Sequence, residues 1–266
     1  MNLFSVVAFI LAGGVLVFGI FTSDNVHVFL NSHAFLIVIG GTLAAASISF
    51  QIDRLFLLFK TFFQRVIRGH KEDYVKLIQE LMVLAEARRT QSPEFERLVE
   101  KTSDPFLKEA MGALLDDVLD HETLIRVLKM RVSTNYQRQE EEMFKFRTVG
   151  KYPPAFGLMG TTLSMITLLE KLGQPGGQKM IGPSMAIGLV ATFYGLALAN
   201  LIFNPISENL HDGAKQARVK NYIIIEGIRL IMQNTNPVVL AEELNSFLLP
   251  EERIDWKSAT GFKKAA

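Results

Sequence analysis

Hydrophobic and charged residues are separated into blocks along this chain. Four stretches contain no charged side chain, and they cover residues 3–22, 34–50, 153–169 and 181–207. A helix needs about 17–25 residues to cross a hydrocarbon core of about 30 Å. Each stretch therefore predicts one membrane-spanning helix. The first predicts a retained helix rather than a cleaved signal peptide, because it lacks a basic region before it and a small-residue cleavage site.

The polar segments carry helical patterns of their own. Apolar side chains follow helical spacing in two places, at Tyr74, Leu77, Ile78, Leu81 and Met82 and at Leu107, Met111, Leu114, Leu115 and Val118. A highly charged third segment covers residues 124–146, and residues 206–233 predict a continuous extension of the fourth span. These patterns predict a helical domain outside the membrane.

The expected fold class is an all-α integral membrane protein with four transmembrane helices and a helical cytoplasmic domain. Residues 1–51 are expected to hold transmembrane helices 1 and 2, and residues 52–152 the cytoplasmic helical domain. Residues 153–206 would hold transmembrane helices 3 and 4. Residues 207–266 would form a cytoplasmic C-terminal helix and tail.

Basic residues indicate the orientation in the membrane. The chain of 266 residues has 28 Lys and Arg against 27 Asp and Glu, a net charge of +1, which argues against a general nucleic-acid binder. Of the 28 basic residues, 26 lie in the long central loop or after residue 207, and the outer loops hold only Lys171 and Lys179. The positive-inside rule predicts cytoplasmic termini and a cytoplasmic central loop.

The sequence argues against an enzyme. It contains no cysteine, and its five histidines are scattered without the spacing of metal ligands. Neither a dinucleotide-binding nor a P-loop glycine motif is present. We therefore expect no bound cofactor and no catalytic residue.

Small and hydroxyl residues line one face of each of the last two spans. The faces consist of Gly157, Thr161, Ser164 and Leu168 in the third span and Gly188, Thr192, Gly195 and Ala199 in the fourth. Close helix packing explains such faces, and from the faces alone it is the favoured interpretation. Charged residues are absent from the central parts of all four spans, so this chain supplies no titrating group to an ion path.

The helical rise places two hydroxyl groups at similar depth. Thr161 lies about 12 Å from the inner end of the third span, and Thr192 about 14 Å from the outer end of the fourth. Because these helices are antiparallel, both hydroxyls would lie near the bilayer centre. Neutral oxygens there suit a hard cation such as sodium, completed by a carboxylate from a partner chain.

The order of several short motifs resembles the MotA/PomA family of flagellar-motor stator subunits, within the MotA/TolQ/ExbB superfamily. The motifs are IVIGGT at 37–42, AEARR at 85–89, PAFGLMGT at 154–161, IGPSMA at 181–186, ATFYG at 191–195 and NPI at 204–206. The resemblance implies an ion-conducting stator subunit in the bacterial inner membrane. Five copies would surround two copies of a single-helix, peptidoglycan-anchored partner of the MotB/PomB type.

The resemblance also implies roles for particular residues. The ion path would pass Thr161, Thr192, Ala191 and Gly160, carrying sodium or protons. Conformational coupling is implied for Pro154 and Pro205, and contact with the rotor protein FliG for Arg88, Arg89 and Glu96. Without the family, these three charges would be interpreted as an ordinary solvated face.

The sequence departs from the pattern of the family at two positions. Ala191 stands where sodium-driven members tend to have a second threonine, and Lys151 where several members have an aspartate. Sodium is favoured over protons, since neutral oxygen ligands do little for a proton.

An ExbB/TolQ-type subunit that energises the outer membrane is the main alternative function, but four predicted spans rather than three favour the motor. A passive membrane scaffold is the other.

Overall fold

The computed structural model describes residues 3–23, 25–51, 53, 56, 57, 60 and 73–254. Within these residues the regular structure is helical and contains no β-strand, which confirms the all-α fold class. The α-helices are α1 (Leu3–Phe21), α2 (Ser32–Phe35), α3 (Gly41–Ser49), α4 (Tyr74–Arg89), α5 (Phe95–Glu100), α6 (Pro105–Leu115), α7 (His121–Val149), α8 (Tyr152–Leu172), α9 (Ile181–Leu198), α10 (Asn204–Met232) and α11 (Pro237–Asn245).

Shorter helical segments connect some of these helices. A π-helical segment, Leu36–Gly40, joins α2 to α3, and a second, Ala199–Phe203, joins α9 to α10. Turns of 3₁₀-helix cover Val26–Phe29, Gly177–Met180 and Pro250–Glu252.

The apolar stripes predicted from the sequence are mostly confirmed. In α4 the predicted positions from Leu77 to Met82 are buried, and in α6 Leu107, Met111 and Leu114 are buried. The prediction fails at Val118, which is 81% exposed. The reason is that α6 ends at Leu115 and Asp117 adopts a left-handed φ of 50°, so the chain leaves the helical path before Val118.

The chain divides into two compact units. One comprises the described parts of residues 1–71 and 140–212, and the other those of residues 72–139 and 213–266. The first unit contains α1, α2, α3, α8 and α9, whereas the second contains α4, α5, α6 and α11. Both α7 and α10 continue from one unit into the other.

Glycines set the spacing of the antiparallel α8–α9 pair in the first unit. A Cβ added at Gly157 would lie 2.9 Å from the carbonyl oxygen of Ala191, and one at Gly188 would lie 3.1 Å from the Cα of Thr161. A Cβ at Gly195 would run into the backbone of Pro153. The two backbones therefore approach each other more closely than larger residues would allow.

The α2–α3 segment packs against this pair. Ala34 and Val38 are fully buried and join a small apolar cluster with Val190 and Ala191 of α9. At the end of α3, the Ser49 hydroxyl lies 2.9 Å from the hydroxyl of Tyr152, at the start of α8. The α2–α3 segment therefore covers one face of the α8–α9 pair.

The second unit is built around an apolar core. Buried side chains from α4, α6, α7, α10 and α11 contribute to it, including Leu81, Leu107, Leu128, Ile228 and Leu240. Asp104 fixes the start of α6, because its carboxylate accepts from the N–H groups of Phe106 and Leu107. The same carboxylate forms a largely buried ion pair with Lys220 of α10, at 2.8 Å.

Two stretches of the described residues are long and apolar enough to cross a membrane, judged by length and composition alone. They are Val26–Ser49, with a mean hydropathy of 1.7, and Gly177–Met232, with a mean hydropathy of 1.9. These stretches include residues 34–49 of the second predicted span and the whole of the fourth. The first and third predicted spans form α1 and α8, of 19 and 21 residues, and the count of four spans stays a prediction.

The glycine contacts give a first testable prediction. Replacing Gly195 by Ala would force a methyl group against the Pro153 carbonyl, and overpacking of this kind typically costs about 1–3 kcal/mol. We expect a lower melting temperature for the detergent-purified protein. Gly14→Ala is the control, since no described atom lies within 4 Å of its added Cβ. Equal melting of Gly195→Ala and the unmodified protein would contradict the packing.

Candidate functional site

The hydroxyl groups of Thr161 and Thr192 meet between α8 and α9. Their Oγ1 atoms lie 2.6 Å apart and share a hydrogen bond. The helical rise predicts that these threonines lie at one level of an antiparallel pair, and the contact confirms that they do. The same faces pack the helices together, because Gly157, Gly188 and Gly195 are buried there.

Backbone carbonyls complete an oxygen cluster around the two hydroxyls. The Thr161 hydroxyl lies 2.9 Å from the carbonyl oxygen of Gly188 and 3.3 Å from that of Gly157. The Thr192 hydroxyl also lies 3.3 Å from the Gly157 carbonyl. Each hydroxyl has one proton, so these contacts are alternative partners. The cluster brings together four neutral oxygens, a donor type that hard cations accept once the hydroxyl–hydroxyl bond opens.

Ala191 and Gly160 lie close to each other between α8 and α9, next to the threonines. Ala191 is fully buried, and a Cβ added at Gly160 would lie 2.6 Å from the Cβ of Ala191. Neither residue carries a side-chain oxygen. The polar part of the predicted ion path is therefore limited to the two hydroxyls and their carbonyl partners.

Among the described residues, no carboxylate completes the cluster. The described residues contain no group of three or more His, Cys, Asp or Glu side chains that could hold a metal ion. The central parts of the four predicted spans contain no Asp, Glu, Lys, Arg or His.

The two candidate coupling prolines lie at helix starts. Pro154 is in the first turn of α8, where its missing N–H costs no helical hydrogen bond. Pro205 follows the second π-helical segment, in which the N–H of Asn204 donates to the carbonyl of Ala199 five residues earlier. Pro205 cannot donate to the carbonyl four residues before it, which accounts for the altered hydrogen-bond register at this point.

A second candidate site lies where α4 ends and α5 begins. Arg88, Arg89 and Glu96 are all exposed there. Arg89 donates to both carboxylate oxygens of Glu86, at 3.1 and 3.0 Å. This hydrogen bonding, and secondarily the negative charge of Glu86, raise the pKa of Arg89. Arg89 therefore already has an acidic partner on its own helix.

Arg88 is held in a different way. Its guanidinium carbon lies 5.6 Å from the centre of the buried Phe95 ring, within the range of a cation–π interaction. Arg88 and Glu96 both line a cavity of about 450 Å³, whereas Arg89 is not among its lining residues. The structure thus brings together Arg88 and Glu96 and leaves Arg89 paired with Glu86.

The cavity includes residues that the sequence analysis missed. Gln91 and Ser92 follow α4, and Asn234 follows α10. The asparagine after a helix is a sequence signal for a left-handed helix end. Nothing in the sequence, however, places position 234 beside position 88, because the contact depends on the packing of α10 against α4.

Tyr194 is a further residue whose role the sequence analysis missed. Its hydroxyl donates to the carbonyl of Phe29 and lies 3.4 Å from the N–H of Asn31. The Asn31 side chain in turn caps α2 by accepting from the N–H of Ala34 at 3.0 Å. Tyr194 therefore ties the turn before α2 to the middle of α9.

Comparison with known proteins supports a membrane-embedded class of protein. The sequence profile described as the MotA/TolQ/ExbB proton channel family matches residues 98–222. A protein of Bacillus subtilis called uncharacterized protein YtxD is 32% identical over 251 residues, covering 92% of this chain and 90% of the relative. Motility protein A of Borreliella burgdorferi is 30% identical over 264 residues, covering 98% of this chain and 99% of the relative.

The fold has a counterpart among solved structures. The flagellar MotAB stator complex from Bacillus subtilis superposes with a TM-score of 0.80, at 23% identity, over 96% of this chain and 98% of the matched one. The chain thus has the same fold as the matched chain of that complex. The chain is a member of the MotA/TolQ/ExbB proton channel family, and it is similar to motility protein A over almost its full length.

Proposed function

We propose that this chain is the ion-conducting stator subunit of a bacterial flagellar motor. The observation that carries the proposal is the neutral oxygen cluster of Thr161 and Thr192 on a helix pair whose central, apolar part contains no carboxylate. Likeness to motility protein A over almost the full length of both chains supports the motor rather than an ExbB/TolQ-type role. Cation flow past the cluster would drive torque on the rotor.

The proposed assembly completes what the single chain lacks. Four membrane spans in the bacterial inner membrane, with both termini cytoplasmic, accord with the basic residues of the sequence. Five copies would surround two copies of a MotB/PomB-type partner, whose membrane helix supplies the missing carboxylate. The stator complex that matches this fold pairs MotA with MotB, which supports such a partner.

Sodium is the favoured ion. The hydroxyl and carbonyl oxygens around Thr161 suit a dehydrated cation, whereas a proton needs only the partner's carboxylate. Ala191 offers no further oxygen, so protons are the alternative. An ion that falls through about 100 mV releases about 2.3 kcal/mol per charge, and several passages must be coupled to useful work. Pro154 and Pro205 are the proposed coupling positions.

The rotor contact is proposed at Arg88, Arg89 and Glu96. These side chains are exposed at one edge of the second unit, beside a preformed cavity. Exposed ion pairs contribute only about 0–1 kcal/mol each. Contacts of that strength suit a surface that must bind and release FliG repeatedly.

Swimming speed across a sodium series at fixed pH tests the proposal. A strain that lacks this chain would be complemented with it. We expect paralysed, flagellated cells to regain motility in proportion to sodium. Rescue that ignores sodium and responds to pH would retain the stator and assign protons. A strain that needs this chain for outer-membrane function but swims normally without it would contradict the motor role.

Removing both hydroxyls tests the ion path. Thr161→Val with Thr192→Val keeps nearly the same shape, so assembly with the partner should survive while motility is lost. The matched control is Thr161→Ser with Thr192→Ser, which retains both hydroxyls and should keep most of the swimming speed. Normal swimming of the double valine variant would contradict the ion-path assignment.

Charge reversal tests the rotor contact. Like charges placed across an interface cost several kcal/mol, so Arg88→Glu with Arg89→Glu should lower stall torque at least about tenfold. Copurification with the membrane partner should be unchanged. Arg97→Glu is the control, because Arg97 is an exposed residue of α5 that does not line the cavity. Unchanged torque in the double variant would remove these residues from the rotor contact.

A further inference from the structure

Three residues other than glycine have a left-handed backbone in the described part of the chain. They are Gln91, Asp117 and Asn234, with φ of 49°, 50° and 53°. Gln91 and Asn234 line the same cavity as Arg88, although they follow different helices. Two of the three residues with this unfavourable backbone conformation therefore lie at the same cavity.

The backbone at these two positions does not require a side chain. Each helix ends in the same hydrogen-bond pattern, in which the residue after the left-handed one donates to a carbonyl five residues earlier. Ser92 donates to Ala87 at 2.9 Å, and Thr235 donates to Leu230 at 3.1 Å. Glycine is the most favourable residue at such a position, since it has no Cβ to clash. Glutamine and asparagine at these positions thus retain side chains that the helix ends do not need.

Both retained side chains are carboxamides with open hydrogen-bonding capacity. Gln91 and Asn234 are exposed, and neither side chain makes a hydrogen bond with another described residue. Each offers two N–H donors to the cavity, beside the guanidinium of Arg88. Ser92 adds a hydroxyl whose oxygen accepts from the N–H of Glu94 at 3.3 Å. Glu96 is the acidic residue among the lining side chains.

The donors around Arg88 suit a planar anion. Arginine and carboxamide N–H groups together match the two oxygens of a carboxylate, and such charge-assisted hydrogen bonds are stronger than neutral ones. Arg88 is already oriented over Phe95, so its binding geometry is largely preformed. The negative charge of Glu96 would repel a second acidic group of the bound partner and attract a basic group beside the bound carboxylate.

We propose that Gln91 and Asn234 are binding residues of this cavity and that it takes the carboxylate of an acidic side chain on the rotor protein. The inference rests on the proposed motor function. It adds two positions to the rotor contact, one of them from the far end of α10. It also assigns Arg88, rather than Arg89, to the bound carboxylate.

Substitution by glycine separates binding from stability. Gln91→Gly with Asn234→Gly keeps the left-handed backbone and removes both carboxamides. We expect an unchanged or higher melting temperature and normal membrane levels in the full-chain complex. Stall torque should fall at least about tenfold, because two hydrogen bonds to a charged group are lost. Asp117→Gly relaxes the same backbone conformation outside the cavity and should leave torque unchanged.

The results distinguish failure of this inference from failure of the motor proposal. Normal torque in the double glycine variant, together with lost torque in Arg88→Glu, would overturn the role of the carboxamides and leave the rotor contact in place. Equal torque loss in Asp117→Gly would also overturn it, since the effect would then follow the backbone. Normal torque in all of these variants would overturn the rotor contact itself.

A charged replacement tests the chemistry of the occupant. Asn234→Asp preserves the shape of the side chain and the tolerance for a left-handed backbone, but it adds a negative charge to the cavity. A bound carboxylate would be repelled, so we expect torque to fall at least as far as in the glycine variant. Torque equal to that of the unmodified protein would overturn the carboxylate assignment.

Discussion

The close approach of two helix backbones is the constraint on which the candidate ion site depends. Gly157 and Gly188 have no Cβ, so the Thr161 hydroxyl reaches the Gly188 carbonyl on the opposite helix at 2.9 Å. In a membrane, helices gain little from burying apolar surface against each other, and packing with interhelical hydrogen bonds holds them together. The same contacts that pack α8 against α9 also create the oxygen cluster. The face that packs the two helices together is therefore also the face on which we propose the ion path.

Much of this arrangement was predictable because it follows from local rules. A repeat of 3.6 residues identifies the buried stripe of α4, and a rise of about 1.5 Å per residue places Thr161 and Thr192 at one level. The rule fails where the helix ends. Val118 fits the apolar period of α6, but Asp117 takes the chain out of the helix just before it. Periodicity describes a face and does not say where the helix stops.

The charged cavity was predictable only in part, because its geometry comes from packing between distant segments. Glu86 lies three residues before Arg89, and that helical spacing already favours an ion pair. The separation of Arg88 from Arg89 depends on the Phe95 ring, which α5 brings back beside α4. Asn234 is contributed by the end of another helix altogether. Sequence resemblance implies a rotor contact for Arg88, Arg89 and Glu96, and the fold shows that Arg88 and Glu96 line one cavity.

The tie between Tyr194 and the turn before α2 has a consequence for how the protein is made. The Phe29 carbonyl and the Asn31 N–H find their partner on α9, which the ribosome synthesises more than 160 residues later. Buried backbone groups without a partner are costly, so the Phe29 carbonyl and the Asn31 N–H need water or another partner until then. The final conformation of this turn can therefore form only after α9 has been made.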